Sequence, residues 1–404
     1  MDLNCKEENN EKKNNELKRE KEEEKVCIKC KWDKNSTFLN KKKSRELDEI
    51  DLGECCNKNT VKNLNTGPNS NNLEVNFGFE LIKDSYCNDT GLDNIFIVFK
   101  SINDILYIIY ANDGHSIILF NFIDNKKIIE IKKAHDNYIN NFRHYLDKSN
   151  KRDLVISISS FDNNIKLWNI NTLECIVNIK NAYNSGEMYS ACFLYSNKEL
   201  FIVSCNDYYP DKPGPIKIFD LQGKKIKVIK NSNERSFFID TYYDNKYDKN
   251  YILVGNKNYV KSYDYDKNKL YHKYCDESYH YHCCILIYNS NNDINIIKLI
   301  ESGCDGNIRI WNFHSGELIK RIEVISNSLL YGMCLWNNDY IFVTCNDKTV
   351  KLVDLNSGNV LKSLVGHSIY PLTIKFLNHP LYGECLLTKG RLYGMIKLWK
   401  IKNK

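Results

Sequence analysis

Five short stretches of the chain repeat one order of polar and apolar positions. Each stretch places an alternating apolar strand after a tight turn and ends it with a bulky, mostly aromatic residue followed by a polar one. They read SFDNNIKLWNI (160–170), GNKNYVKSYDY (255–265), CDGNIRIWNF (304–313), NDKTVKLVDL (346–355) and, with no acid ahead of it, YGMIKLWKI (393–401). Self-similarity at a period of about 42 to 51 residues predicts a propeller array.

Period-two alternation and turn signals divide the chain from about residue 76 into successive sets of strands. Four strands make one blade of a propeller. The complete sets cover 94–135, 138–180, 188–230, 236–274, 282–323 and 330–365. The last set, 370–401, has only three strands.

An incomplete blade would leave a strand edge unpaired, which invites aggregation. The segment NFGFELIKDSY (76–86) precedes the first blade and has no partner of its own. We therefore predict an all-β fold: a seven-bladed β-propeller of four-stranded antiparallel blades, closed by an N-terminal strand that completes the last blade. Six or eight blades remain alternatives, because the fourth set is the least regular.

The first 70 residues differ in composition from the rest. They hold 16 Lys plus Arg against 15 Asp plus Glu and few aromatics, too little apolar area to offset chain entropy. We predict a disordered Lys/Glu/Asn-rich tail over 1–75 and a propeller over 76–404. The rest of the chain carries +5 of the net charge of +6. This charge is too dispersed to favour binding to nucleic acid.

The 16 cysteines of the 404-residue chain follow no fixed spacing, which favours a reducing compartment. No stretch reaches the ~18 apolar residues of a membrane span. We expect a soluble cytoplasmic protein, with the nucleus as the alternative because Lys41–Arg45 resembles an import signal.

Two groups of potential metal ligands occur, and neither has the spacing of a zinc site. Cys27 and Cys30 are followed by the adjacent pair Cys55 and Cys56 rather than by a second CxxC. The cluster His272–Cys284 spans a connection between blades. No Walker loop, GxSxG elbow or HExxH occurs. We expect no cofactor, no metal and no enzymatic activity, although the question whether either group binds a metal stays open.

Carboxylates recur at the same point of successive units. Because catalysis needs one special constellation, we interpret this recurrence as turn structure, in which a short Asp accepts backbone N–H groups. The residues are Asp113, Asp162, Asp207, Asp305 and Asp347.

Over residues 76–401 the chain resembles the WD-repeat family, on LWNI (167–170), IWNF (310–313), VDL (353–355), LWKI (398–401) and Gly366-His367. The resemblance implies that a loop His, a turn Asp and a strand aromatic form a structural hydrogen-bonding set in each blade. The most complete set is His135, Asp162 and Trp168 in the second blade. The fifth blade has Asp305 and Trp311 but no His. The sixth has Asp347 but Val353 in place of Trp, and the last has His367 and Trp399 but no acid.

In a propeller, the residues just before each innermost strand surround one end of the central channel. Four of the six candidates are aromatic, the residue type that dominates protein interfaces, although some could only cap the core. A proline-stiffened insertion, YYPDKP (208–213), is a second candidate surface. The ring candidates are Tyr138, Glu187, Phe237, Tyr281, Leu330 or its neighbour Leu329, and Tyr370.

We therefore expect a non-catalytic scaffold that binds peptides or protein domains on this ring, rather than a small-molecule substrate, a membrane or nucleic acid. One alternative is a substrate adaptor of a ubiquitin ligase, although the Trp-Asp-x-Arg typical of that class is absent. Another is an RNA or ribosome-assembly factor in the nucleus. Phosphoinositide binding is disfavoured because no Arg-Arg occurs.

Overall fold

The computed structural model describes residues 77–85, 96–112, 114–159, 161–184, 186–207, 214–230, 236–256, 259–276, 282–289, 296–390 and 396–403. Within these ranges the regular structure is entirely β-strand. The predicted disordered tail, with Cys27, Cys30, Cys55 and Cys56, lies outside the described residues, so the tail and its boundary stay predictions.

The strands form seven antiparallel four-stranded sheets, as predicted. Each sheet is one blade and is built from four consecutive strands, except the last. Blade 1 comprises β2 (Phe96–Lys100), β3 (Leu106–Asn112), β4 (Ser116–Asn121) and β5 (Lys126–Ile131). Blade 2 comprises β6 (Ile139–Asp147), β7 (Arg152–Ser159), β8 (Ile165–Asn169) and β9 (Glu174–Ile179). Blade 3 comprises β10 (Glu187–Ser196), β11 (Glu199–Asp207), β12 (Ile216–Phe219) and β13 (Lys225–Ile229).

Blade 4 comprises β14 (Ser236–Asp244), β15 (Lys249–Asn256), β16 (Val260–Asp264) and β17 (Lys269–Tyr274). Blade 5 comprises β18 (His282–Asn289), β19 (Ile297–Gly303), β20 (Asn307–Asn312) and β21 (Leu318–Glu323). Blade 6 comprises β22 (Leu330–Trp336), β23 (Tyr340–Cys345), β24 (Val350–Asp354) and β25 (Val360–Leu364). Blade 7 comprises β26 (Pro371–His379), β27 (Gly383–Gly390), β28 (Ile396–Asn403) and β1 (Phe77–Ser85).

The strand β1 closes the ring, which confirms the prediction. It pairs antiparallel with β28, from Phe77 opposite Asn403 to Ser85 opposite Ile396. The innermost strands contact one another in sequence order, and β26 returns to contact β2. The two ends of the propeller are therefore joined by an antiparallel strand pair, and the count of seven blades is confirmed.

The apolar core lies between blades, because alternate side chains of each sheet face opposite neighbours. Phe142 and Trp168 of blade 2 pack with Ile109 of blade 1 in one buried cluster. The closing strand joins this scheme, since the Phe79 ring packs edge-on against Phe342 of blade 6, with centroids 5.7 Å apart. Each blade thus depends on its neighbours for burial of its apolar surface.

Every outermost strand carries a β-bulge opposite the bulky position of the third strand, where the repeats place Trp168, Trp311 and Trp399. A bulge bends an edge strand and interrupts its ladder, which protects it from pairing with another chain. The skipped residues are Ile82, Ile128, Ile176, Ile226, Tyr271, Ile319 and Leu361.

Candidate interaction surface on the ring face

Blade 2 assembles the complete structural set that the WD-repeat resemblance implies. Ser157, on the second strand, lies at its centre: its hydroxyl accepts the indole N–H of Trp168 at 2.8 Å and lies 2.7 Å from Nε2 of His135. Nδ1 of His135 is 3.3 Å from Asp162 Oδ2. Burial lowers the pKa of His135, although Asp162 opposes this shift.

Asp162 also caps the backbone around it. Its Oδ1 accepts the N–H of Asn164 at 2.8 Å and its Oδ2 that of Asp136 at 3.2 Å. Burial raises its pKa, but these bonds and His135 outweigh burial and hold the pKa below its usual value. The carboxylate therefore links its own turn to the loop that contains Asp136, as the repeated pattern suggested.

Blade 7 repeats the arrangement with Thr388 in place of the serine. The Thr388 hydroxyl accepts the indole N–H of Trp399 at 2.9 Å and lies 2.8 Å from His367 Nε2. Thr388 is fully buried. The sequence pattern identified His367 and Trp399 but missed the hydroxyl, which in both blades stands on the second strand, two residues beyond the partner of the Trp.

In blade 5, charged side chains take the place of this network. Glu301 occupies the hydroxyl position, and its carboxylate accepts the indole N–H of Trp311 at 3.1 Å. Arg309, fully buried, pairs with Asp305 at 2.6 Å and with Asp276 in the loop before the blade. Asp276 thus stands in for the missing loop His, a substitution that the sequence pattern did not reveal.

Blades 3 and 6 keep parts of the set. In blade 3 the buried Tyr183 takes the place of the loop His, and its hydroxyl donates to Ser204 O at 2.7 Å. The signal was Ala182-Tyr183, which parallels Ala134-His135. In blade 6 Asp347 caps its own turn through the Thr349 hydroxyl at 2.6 Å and pairs with Lys351 at 3.1 Å.

Strand direction defines two faces of the ring. The loops that lead into each innermost strand, and the loops between second and third strands, lie on one face, which we call the ring face. The remaining turns lie on the opposite face. In blades 2 to 7 the innermost strand carries a bulge near the ring face, and bulges commonly re-aim side chains at functional sites.

Three pairs of rings lie at the ring face, and each joins neighbouring blades. Tyr138 stacks on His115 of blade 1, with centroids 5.1 Å apart and planes at 30°. Its ring also lies against Gly114, where a Cβ would meet it at 2.2 Å. Gly114 has φ +75°, so glycine is required there for both space and backbone conformation.

The other two pairs follow the bulged inner strands. Phe237 of blade 4 lies 5.6 Å from the ring of Tyr189 of blade 3, whose hydroxyl donates to the carboxylate of Glu187. Tyr370 stacks on Tyr331 of blade 6 at 5.1 Å with planes at 17°. The side chains named in these two pairs and the Glu187 carboxylate are all half-buried, so each retains surface that a partner could cover.

One predicted ring residue lies in the core rather than at this surface. Leu330 is fully buried in the core cluster with Ile300 and Met333, because its side chain points between blades rather than toward the channel. The neighbouring Leu329 is half-buried. Tyr281, Asp113 and the insertion 208–213 lie outside the described residues, as does the side chain of Asp207.

The sequence pattern did not identify one exposed aromatic residue on the ring face. Phe161, in the loop between the second and third strands of blade 2, is 58% exposed. It directly precedes Asp162, so the repeat drew attention to the acid rather than to the aromatic.

No group of His, Cys, Asp and Glu suited to a metal ion is found among the described residues. The cluster His272–Cys284 lies partly beyond them. Likewise, the described ranges contain no helix with the length and apolarity needed to cross a bilayer.

Comparison with known proteins gives one partial similarity and no family assignment. No family model matches the chain. The chain is 27% identical over 103 residues to the U3 small nucleolar RNA-associated protein 21 homolog of Schizosaccharomyces pombe (strain 972 / ATCC 24843). The match covers 26% of this chain and 11% of that protein.

Proposed function

We propose that this protein is a divergent WD-repeat propeller that acts as a non-catalytic scaffold and binds peptide segments or domains of other proteins on its ring face. The observation that carries the proposal is the set of three ring pairs across blade boundaries: His115–Tyr138, Tyr189–Phe237 and Tyr331–Tyr370. Half-buried aromatic rings supply large contact area at low entropic cost.

The non-catalytic part of the proposal is supported by the way the candidate acids and bases are used. His135 and His367 are buried, and each is bound to a hydroxyl that also serves a Trp. Asp162 and Asp347 cap backbone or hydroxyl groups of their own turns. These bonds give each side chain a structural role within its own blade, which supports the proposal.

The test compares two triple variants with the unaltered protein in affinity capture from native cell extract. The first, Tyr138→Ala/Phe237→Ala/Tyr370→Ala, removes rings from the ring face. The second, Tyr195→Ala/Tyr243→Ala/Tyr247→Ala, removes three exposed tyrosines from the opposite face. We expect only the first variant to lose protein partners. Retention of every partner by the first variant would move the site to another surface.

A second candidate is an RNA-linked assembly factor in the nucleus. Its support is the similarity to a protein named for its association with U3 small nucleolar RNA. On this hypothesis the scaffold would operate in the nucleus, and otherwise in the cytoplasm. Imaging of the tagged full chain would distinguish the two: nucleolar signal supports the RNA-linked role, whereas uniform cytoplasmic signal contradicts it.

A further inference from the structure

Two histidines lie where blade 5 meets blade 4 on the opposite face. His314 belongs to the turn between β20 and β21, and His272 belongs to β17, the outermost strand of blade 4. The Asn312 side chain accepts the backbone N–H groups of His314 at 3.0 Å and of Ser315 at 3.1 Å. A Cβ on Gly316 would lie 3.3 Å from Nδ1 of His272. The turn of blade 5 is therefore internally bonded and lies against β17.

Both ring nitrogens of His314 face groups of blade 4. Nδ1 lies 3.1 Å from the hydroxyl of Tyr271, and Nε2 lies 3.0 Å from Oδ2 of Asp244. Tyr271 is the residue that the bulge of β17 skips, and its ring lies 6.2 Å from that of His314. Because a carboxylate only accepts hydrogen bonds, we place the imidazole proton on Nε2, and Nδ1 then accepts the hydroxyl proton of Tyr271. The arrangement thus fits a neutral imidazole.

A second proton on His314 would disturb this arrangement. An imidazolium ring has two donors and no acceptor, so the Tyr271 hydroxyl could no longer donate to it. Asp244 compensates incompletely, because its Oδ2 is close to Nε2 but not aligned as a hydrogen bond, while its Oδ1 accepts the N–H of Lys246 at 2.9 Å. Burial lowers the pKa of His314, and Asp244 opposes this shift. The charges of Lys246 and Lys249 lower the pKa further.

His272 makes the same junction sensitive to another proton. Burial lowers the pKa of His272, although its side chain also donates to the backbone carbonyl of His314. The nearby charge of His314 lowers that pKa further. The charged and titratable groups around the two rings are Asp244, Lys246, Tyr247 and Lys249 at the first turn of blade 4, Tyr251 of β15, Asp264 of β16, Tyr271 of β17, and Glu317 in the turn of His314 itself.

We propose that this junction is an acid-responsive latch between blades 4 and 5. It is closed while His272 and His314 are neutral. When the two rings take up protons it opens locally, and the turn of blade 5 separates from β17. The inner strands β14 and β18 contact each other apart from the latch, so the ring stays closed. The latch lies on the opposite face and is independent of protein binding at the ring face.

The size of the response follows from linkage between protonation and opening. The lowered pKa values mean that the closed latch is fully stable above pH ~6.5 and loses stability as the pH falls below that value. If the open rings have the ordinary pKa of about 6.5 and the closed rings stay neutral, a change from pH ~7.5 to ~5.5 favours opening about tenfold for each histidine. Two histidines together set an upper limit of about a hundredfold.

The test is hydrogen–deuterium exchange of the full chain at pH ~7.5 and ~5.5, with each amide corrected for its intrinsic exchange rate. The reporters are β17 (Lys269–Tyr274) and β21 (Leu318–Glu323), and the reference is blade 6, whose strands contain no histidine. We expect the protection of the reporters to fall about ten- to a hundredfold at the lower pH, against less than about threefold for the reference.

Three variants assign the response to the latch. In His272→Gln/His314→Gln, the reporters should respond to pH no more than the reference does. The matched control His144→Gln removes a histidine that also contacts an aspartate, but in blade 2, and should leave the response of the reporters unchanged. Tyr271→Phe removes only the hydroxyl. It should lower the protection of the reporters at pH ~7.5 about two- to tenfold, the equivalent of one hydrogen bond, and should reduce the response to pH.

Several results would overturn the proposal. An equal fall in protection of reporters and reference would indicate global destabilisation. A response that persists in His272→Gln/His314→Gln, or that disappears in His144→Gln, would assign the titration to other groups. An unchanged response in Tyr271→Phe would contradict the role of Nδ1, and this variant decides the question if the double variant does not fold.

Discussion

Thr388 offers a direct measure of the hydrogen bonds at the centre of a blade. Thr388→Val keeps the shape of the side chain but removes the hydroxyl that serves both Trp399 Nε1 and His367 Nε2. A buried polar group left without a partner costs about 1–3 kcal/mol. Because two such groups are affected, we expect a loss of about 2–6 kcal/mol in the free energy of unfolding.

The matched control is Thr388→Ser, which keeps the hydroxyl and loses one buried methyl group, a change worth about 1 kcal/mol. Urea denaturation followed by tryptophan fluorescence should place the midpoint of the valine variant well below that of the serine variant. A double variant, Thr388→Val/Trp399→Phe, should lose less than the sum of the single losses, because the indole N–H is gone. Equal midpoints for valine and serine would refute the reasoning.

Three other predictions follow from the fold. Removal of residues 1–70 should leave cooperative melting unchanged, whereas removal of 1–88, which takes away β1, should lower the melting temperature markedly; equal melting would contradict the closure. Trp311→Ala should cost ~3–5 kcal/mol by urea denaturation, since its side chain is buried at a blade boundary, and loss of binding without loss of stability would contradict this. Burial lowers the pKa of His135 and His144 below the ordinary 6.5. The unfolded chain therefore takes up more protons than the folded one, and the melting temperature should fall as the pH drops below about 6.5. The check is His135→Gln, in which the melting temperature should depend less on pH.

The blade count and the closure could be predicted because they depend on local periodicity. Alternating apolar residues mark each strand, and one set, 370–401, is a strand short. The pattern also located His135, Asp162 and Trp168, since their spacing is fixed by turn lengths.

The polar centre of blade 5 could not be predicted, because it depends on residues that meet only in the folded sheet. Glu301 faces Arg309 across a strand pair, and Asp276 reaches Arg309 from a loop 33 residues away. Leu330 lies in the core and its neighbour Leu329 is half-buried for a related reason: a shift of one residue near a bulge moves a side chain from the channel to the core.

The pairing of β1 with β28 has a consequence for biosynthesis. The closing strand is synthesised before the other strands of the propeller, yet β28, which pairs with it, follows more than 300 residues later. The nascent chain must therefore carry an unpaired strand edge until β28 has been synthesised. Premature termination would release an unclosed array, which is the form that chaperones and proteases would be expected to recognise.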